Sequence, residues 1–305
     1  MRVVRWPPVG QAPAVSATDI SSARKAKLKD ATLRLERAAG ALGAFASDIS
    51  LAEAARSATL FEAISSALDE HGVLFFRAQS LEPGSLEQLA GRFGSLETHP
   101  AYPTVPGTRY VQVLESTAQA PSKIEAWHTD MTFRPDPPRI TLLHAQVTPD
   151  IGGDTLWAST AAAYEGLSRP IKLLVDELLA VHDFRHGFAE SLAEPGGAER
   201  LADAIAQNPP VEHPVVLVHP NTGRRAIYVN SLFTTAICGL TSLESESLLE
   251  LLCRHVVTEE YTVRLRWAPD TVAIWDNRST QHKPVNDFFP RHRKMHRVTV
   301  AGDVV

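Results

Sequence analysis

Residues 261–267 read YTVRLRW, and this stretch decides the class of fold. Tyr261, Val263, Leu265 and Trp267 alternate with Thr262, Arg264 and Arg266. Side chains two apart lie on one face of a strand, so the pattern describes an apolar face and a polar one. Similar short runs, rich in β-branched residues and bounded by turn formers, lie to either side. They are TRYVQVLES (108–116), RITLLHAQV (139–147), DTLWAST (154–160), HPVVLVHP (213–220), RAIYVN (225–230), DTVAIWDN (270–277) and HRVTVAGD (296–303).

Helical patterns interrupt these strands at TAAAYEGL (160–167), PIKLLVDELLAVH (170–182) and SLESESLLELLCRHV (242–256). Upstream, LFEAISSALDEHG (60–72) has helical apolar spacing, with Ser50 as a candidate cap. VLFFR (73–77) reads as a buried strand, and SLEQLAGRFG (85–94) as a second short helix ended by Gly94. The expected fold is therefore mainly β with helices (α+β): a double-stranded β-helix, or jelly roll, with an N-terminal helical region and a helical insertion. Residues 34–305 read as a single domain. Residues 1–33 read as an N-terminal extension, partly disordered, although its basic part within SSARKAKLKDATLRLERAAG (21–40) has helical character.

The chain has 305 residues, 44% of them hydrophobic, which is ample for a core of this size. A net charge of −5 without a basic stripe argues against a nucleic-acid partner. No apolar run has the length of a membrane span. Two cysteines, Cys238 and Cys253, make no disulfide framework, so a cytoplasmic protein is expected.

WHTDMTF (127–133) also looks like a strand, and would set His128 and Asp130 on one face. Two ligand-type groups on one face can grip one metal ion. A third candidate, His282, follows the strand pattern TVAIWDN and a polar turn. Two histidines and a carboxylate leave open positions and suit non-heme Fe(II). Zinc is the alternative ion, and a zinc hydrolase would then need a general base nearby. With twelve histidines in the chain, a lone His-x-Asp carries little weight.

RHRKMHRVTV (291–300) adds Arg293 and Arg297, which share a face if the stretch is a strand throughout, with Met295 between them. Two guanidiniums on one face beside a metal repel unless anions separate them. Each can hold a carboxylate, sulfonate or sulfate through paired hydrogen bonds. The pattern thus implies two small anions, one per arginine. By itself it would describe a solvated basic strand.

From about residue 38 onward the chain resembles the taurine dioxygenase family of Fe(II)- and 2-oxoglutarate-dependent oxygenases. The likeness rests on FGSLETHPAYP, WHTDMTF, GGDTLWAST, HDFR, NPPVEHPVV, VNSLFTT, IWDNRSTQH and RKMHRVTV, in that order. The resemblance implies Fe(II) on His128, Asp130 and His282, with 2-oxoglutarate and O2 as cosubstrates. It implies that Arg293 pairs with the distal carboxylate of 2-oxoglutarate, assisted by Thr155. Arg297 would bind the anionic head of the substrate, shared by His99 and walled by Tyr102, Phe188 and Phe233. The implied reaction hydroxylates the carbon beside an anionic sulfur group, with succinate and CO2 as coproducts. On a sulfonate such as taurine, the hydroxylated product collapses to an aldehyde and sulfite. Homo-oligomers are common in the family.

Two positions depart from the taurine-using pattern. Ile124 and Glu125 stand in SKIEAW (122–127), where an Asn-rich approach is expected, and Gly187 stands where a small polar residue is expected. Glu125 can pair with an ammonium, which keeps taurine as the leading substrate. Oxidation of alkyl sulfate esters is the alternative. A metal-dependent jelly roll that binds its ligand without turnover is a third reading. It leaves Thr155 and Arg293 without purpose.

Overall fold

The computed structural model describes residues 33–302, apart from 100, 101 and 123. The extension expected at 1–33 therefore lies, except for its last residue, outside the described residues. The end of its basic helical pattern is not helical: Arg34–Arg37 forms an exposed strand paired antiparallel with Ala44–Ser47. A turn containing Gly43 at φ 86° brings the two together. Leu and Arg at helical spacing cannot report such a cross-strand partner.

Two facing sheets form the core. The large sheet has eight strands. In spatial order they are Arg34–Arg37, Ala44–Ser47, Val73–Phe76, Val272–Asp276, Ile140–Val147, Arg293–Val300 and Leu96–Glu97, and Gln112–Ser116 also pairs with Arg293–Val300. The opposing sheet holds Thr262–Leu265, Thr155–Ser159 and Thr280–Pro284. Smaller sheets, which include Leu179–His182, Val211–Pro214 and Thr234–Ile237, extend that side. This is the expected double-stranded β-helix.

The two sheets close on a shared interior. Phe75, Leu143, Ala145, Ala273, Trp275 and Met295 of the large sheet meet Trp157, Val263 and Leu265 of the small one. Trp157 is fully buried, with ring centroids 5.3 Å from Phe75, 5.6 Å from Trp275 and 6.2 Å from Trp267. Truncating such a residue costs about 3–5 kcal/mol. The alternation holds from Val263 to Trp267, with Val263, Leu265 and Trp267 buried while Arg264 and Arg266 are exposed, whereas Tyr261 ends a 3-10 turn, Glu259–Tyr261, and packs with the helices that cover the other face. Because those strands pack inward, their opposite faces also need cover. Helices Ala58–His71 and Pro83–Gly91 shield the large sheet through Leu74, Phe76, Leu142, Ile274 and Val298. Helices Thr160–Gly166 and Ser242–Val256 shield the small one.

Local boundaries differ in three places. Ser57, not Ser50, caps Ala58–His71; Ser50 caps a separate turn, Leu51–Ala54. The helix ahead of Gly94 stops at Gly91, with Arg92 as its C-cap. The helix expected over 170–182 ends at Val175, and Leu179–His182 is a strand between Val211–Pro214 and Thr234–Ile237. Apolar spacing alone does not separate a short buried strand from a helix, and here cross-strand partners decide. A further series of short helices between 184 and 207 has no counterpart among the helical patterns of the sequence, and its Phe184 joins Met131, Phe133 and Phe233 in a separate apolar cluster.

Candidate active site

The strand expected for WHTDMTF is a single bridge followed by a turn. His128 and His282 exchange both backbone hydrogen bonds, at 3.0 and 2.7 Å. The chain then turns, with Met131 at φ 45° and Arg134 N–H donating to the Met131 carbonyl at 3.0 Å. A left-handed conformation at a residue with a Cβ costs on the order of 1–2 kcal/mol. It is maintained here because the Thr129 hydroxyl donates to the Thr280 carbonyl and Met131 packs beneath Phe133 and Phe233. Asp130 opens this turn, two residues beyond the bridge at His128. Its Oδ1 lies 3.9 Å from His128 Nε2 and 3.8 Å from His282 Nε2.

The surroundings orient each donor. His128 Nδ1–H donates to the Ala126 carbonyl at 2.9 Å, which leaves the Nε2 lone pair directed at the cluster. Asp130 Oδ2 accepts from the Thr141 hydroxyl at 2.8 Å, and Thr141 accepts from Asn277 Nδ2 at 2.9 Å. Asn277 Oδ1 in turn accepts from Trp275 Nε1 at 3.0 Å. Burial pushes His282 down to about 3, with further lowering from His128, and lowers His128 as well. For Asp130, burial acts upward and is outweighed by the imidazoles, Arg297 and the Thr141 hydroxyl, which bring it to about 2. Neutral imidazoles and an ionised carboxylate are the protonation states that a metal requires.

Among the described residues a second cluster, Asp69, His219 and Asp276, has ligand-type spacing. It is a hydrogen-bonded knot. Arg278 chelates Asp276, His219 Nε2 donates to Asp276 at 3.0 Å, and Asn221 donates to Asp69 at 3.0 Å. Its acceptors are already satisfied by cations and donors of the chain.

Arg293 and Arg297 both belong to the strand Arg293–Val300, and Met295 between them is buried in the interior. Arg293 lies 5.9 Å over the Trp267 ring, whose Nε1 donates to the Thr155 hydroxyl at 2.9 Å. Burial lowers Arg293 to about 10, partly offset by Asp154. Arg297 lies 4.9 Å over the Tyr102 ring, and its charge is felt by His128, Asp130, His282 and His99. The Nε atoms of both arginines are buried without a hydrogen-bond partner. A buried guanidinium donor left unpaired is costly, so both positions fit anionic ligands.

The remaining wall is aromatic. His99 is 5.2 Å from Tyr102 and 6.3 Å from Phe188, centroid to centroid. Phe233 meets His128 edge-on at 6.4 Å and Phe133 at 5.0 Å. Phe188 stacks on Phe184 at 4.3 Å. Burial, with Arg297 next, lowers His99 to about 4, so its imidazole is neutral. Gly187 is explained by this packing: a Cβ there would overlap the Phe233 ring and sit 3.2 Å from the Leu232 carbonyl.

Residues 34–299 match the family described as taurine catabolism dioxygenase TauD, TfdA family. The chain belongs to that family. It is 41% identical to an alpha-ketoglutarate-dependent sulfate ester dioxygenase of Pseudomonas putida, over 87% of this chain and 88% of the other. It is 39% identical to an alkylsulfatase of Acinetobacter baylyi, over 89% and 86%. The crystal structure of a taurine dioxygenase from Burkholderia xenovorans superposes with a TM-score of 0.76 at 34% identity, covering 90% of each chain.

As a member of this family the protein is a 2-oxoglutarate-dependent dioxygenase, which uses Fe(II), 2-oxoglutarate and O2. The donor set His128, Asp130 and His282 fits iron in chemistry, orientation and protonation. All ten residues singled out in the sequence lie in the described structure, grouped around the metal-type cluster and the two arginines. Several supporting residues escaped sequence reasoning. Thr141 and Asn277 looked like ordinary strand and turn residues, yet they position Asp130. Gln112 looked like one member of the TRYVQVLES alternation, yet it is buried beside Arg297. Trp267 appeared only as the end of an apolar face and forms the floor beneath Arg293. None carried a local signal, because each acts through a partner distant in sequence.

Proposed function

We propose that this dioxygenase hydroxylates the carbon bearing an anionic sulfur group, acting on alkyl sulfate esters and alkanesulfonates. The observation that carries this is Arg297: a half-buried guanidinium whose buried Nε has no hydrogen-bond partner among the described residues, beside His99 and Tyr102 and within electrostatic reach of the metal-type cluster. A tetrahedral sulfur oxoanion offers several acceptors to such a fork.

When bound at His128, Asp130 and His282, iron with 2-oxoglutarate and O2 supplies oxidation of an unactivated C–H bond and yields succinate and CO2. The chain's own residues do the placing. Arg293 pairs with the distal carboxylate of 2-oxoglutarate, with the Thr155 hydroxyl beside it. Arg297 and neutral His99 hold the sulfur oxoanion, so that the carbon next to it faces the metal. Holding the reacting bond in place in this way accounts for much of the selectivity. Tyr102, Phe188 and Phe233 exclude water from the reacting carbon. Hydroxylation of a sulfate ester gives a product that falls apart to an aldehyde and sulfate. The sulfonate product gives an aldehyde and sulfite.

The apolar cluster around Met131, Phe133, Phe184 and Phe233 supports an alkyl tail on the substrate. Two relatives that match over most of their length, at about 40% identity, bear sulfate ester or alkylsulfatase names, in the same direction. Taurine stays within the proposal: its sulfonate suits Arg297, and the solved relative is a taurine dioxygenase. Its ammonium would need Glu125, which lines a cavity of about 170 Å³ with Asn286, Phe288 and Arg291. We also propose a cytoplasmic homo-oligomer. Free Cys238 and Cys253 suit a reducing compartment, and exposed Leu243 and Leu251 on one helix offer apolar surface. Among the described residues no helix is long and apolar enough to cross a membrane.

The test is purified protein with Fe(II), ascorbate, O2 and 2-oxoglutarate, assayed against hexyl sulfate, dodecyl sulfate, hexanesulfonate and taurine. Succinate formed in step with sulfate or sulfite supports the proposal. Sulfite from taurine alone would confine it to that branch. Succinate coupled to none of them refutes it.

A further inference from the structure

Gln112 is almost wholly buried, at 1% exposure, and its amide is saturated. Its Nε2 donates to the His99 carbonyl at 2.7 Å and to the Tyr102 carbonyl at 3.1 Å. Its Oε1 accepts from His99 N–H at 2.9 Å and from Arg297 Nη2 at 3.4 Å. The partners fix the orientation of this amide. Two carbonyls demand the NH2 end and two N–H groups demand the oxygen, so a flip would set like against like at all four contacts. The same residue is paired directly across the ladder with Arg297, which puts the two side chains on one face. An isolated bridge to Thr104 ties it to the loop's far end.

We propose that Gln112 is the positioning residue of the substrate-anion site. It locks the loop carrying His99 and Tyr102 to the strand carrying Arg297, so that all three face the substrate as one rigid unit. The inference rests on the assignment of Arg297 to the substrate's sulfur oxoanion. Its physical content is that Arg297 has no carboxylate partner among the described residues and leans on a neutral oxygen through one long hydrogen bond. That contact orients the guanidinium without neutralising it, and a bound anion can complete it. A carboxylate in the same place would do the opposite. It would pair with Arg297 and compete with the substrate, and its second oxygen would face the carbonyls of His99 and Tyr102. The strand separates the two functions as well: Arg293, assigned to 2-oxoglutarate, pairs with Ser116 at the other end of the same ladder.

The test compares Gln112→Glu and Gln112→Met with Arg297→Ala as the reference. Three quantities are read: the equilibrium affinity for hexyl sulfate under anaerobic conditions, KM for 2-oxoglutarate, and the melting temperature. For Gln112→Glu the expected result is substrate binding weakened by about tenfold or more, with KM for 2-oxoglutarate within about twofold of wild type. Gln112→Met, similar in size but without the amide, is expected to weaken substrate binding less than Gln112→Glu, because it adds no competing charge. If Arg297→Ala weakens substrate binding and both Gln112 variants bind as wild type does, the positioning role is overturned while the anion site stands. If substrate affinity and melting temperature fall while KM for 2-oxoglutarate rises by a similar factor in both variants, Gln112 is merely structural and the proposal fails. If Arg297→Ala itself binds substrate normally, the assignment beneath the proposal is wrong.

Discussion

Replacing Thr141 by valine tests how Asp130 is held. The side chains are nearly the same size, and Thr141 is fully buried, so no cavity opens. What is lost is the 2.8 Å hydrogen bond to Asp130 Oδ2 and the 2.9 Å acceptance from Asn277 Nδ2. A hydrogen bond to a charged acceptor contributes about 1.5–3 kcal/mol, and a stranded buried donor costs about 1–3 kcal/mol. The two share one hydroxyl, so the sum is an upper bound, and about 2–4 kcal/mol of lost stability is expected. In a chain of this size that lowers the melting temperature by about 3–7 °C. Asp130 also gains freedom to rotate away from His128 and His282. Loss of a partner that orients a metal ligand typically weakens metal binding about 10–100-fold. Both effects are read directly, by anaerobic titration with Fe(II) or Mn(II) and by thermal denaturation of the metal-free protein. Metal affinity within about twofold of wild type would refute the reasoning, because Asp130 would then hold its geometry without the hydroxyl.

Four further outcomes are expected. Gly187→Ala places a Cβ against the Phe233 ring; overpacking of this kind costs about 1–3 kcal/mol, and the displaced ring should shift the preference towards shorter alkyl chains, measured as kcat/KM across a chain-length series. Arg293→Met should raise KM for 2-oxoglutarate about tenfold or more and leave anaerobic substrate affinity nearly unchanged; an unaltered KM would remove Arg293 from the cosubstrate site. Arg297→Lys should weaken substrate binding markedly, since a point charge lacks the fork geometry, and wild-type affinity in that variant would count against its role. Stability should fall as pH drops from 6.5 towards 4. Burial holds His99 near 4, His182 near 3 and His296 near 4, all below 6.5, so in that window the unfolded chain binds more protons than the folded one. Melting temperature followed from pH 8 downward checks this last expectation, and a flat profile across the window would contradict it.

What was legible in the sequence had a short period or a strict chemical requirement. Alternation from Val263 to Trp267 reveals a strand because burial acts on every second side chain, and the neighbouring runs were legible as short β-branched segments bounded by turn formers. The ligand residues His128, Asp130 and His282 stood out because few residue types bind a metal and the family order of motifs was intact. Arg293 and Arg297 were legible as a pair because a strand does run through both.

Tertiary structure decided what depends on partners far apart in the chain. WHTDMTF has the composition of a strand, yet only His128 forms a bridge, to His282, and the chain turns from Asp130 onward over the apolar cluster around Met131. Residues 170–182 divide into helix and strand because two other strands flank Leu179–His182, which local spacing does not record. Gly187 means little until Phe233 is seen against it. Gln112, Thr141 and Asn277 are polar residues of no local distinction, and their importance comes from the burial that leaves their polar atoms dependent on groups that the fold brings to them. A sequence displays the identity of a side chain. The fold alone decides which water molecules that side chain loses and which groups replace them.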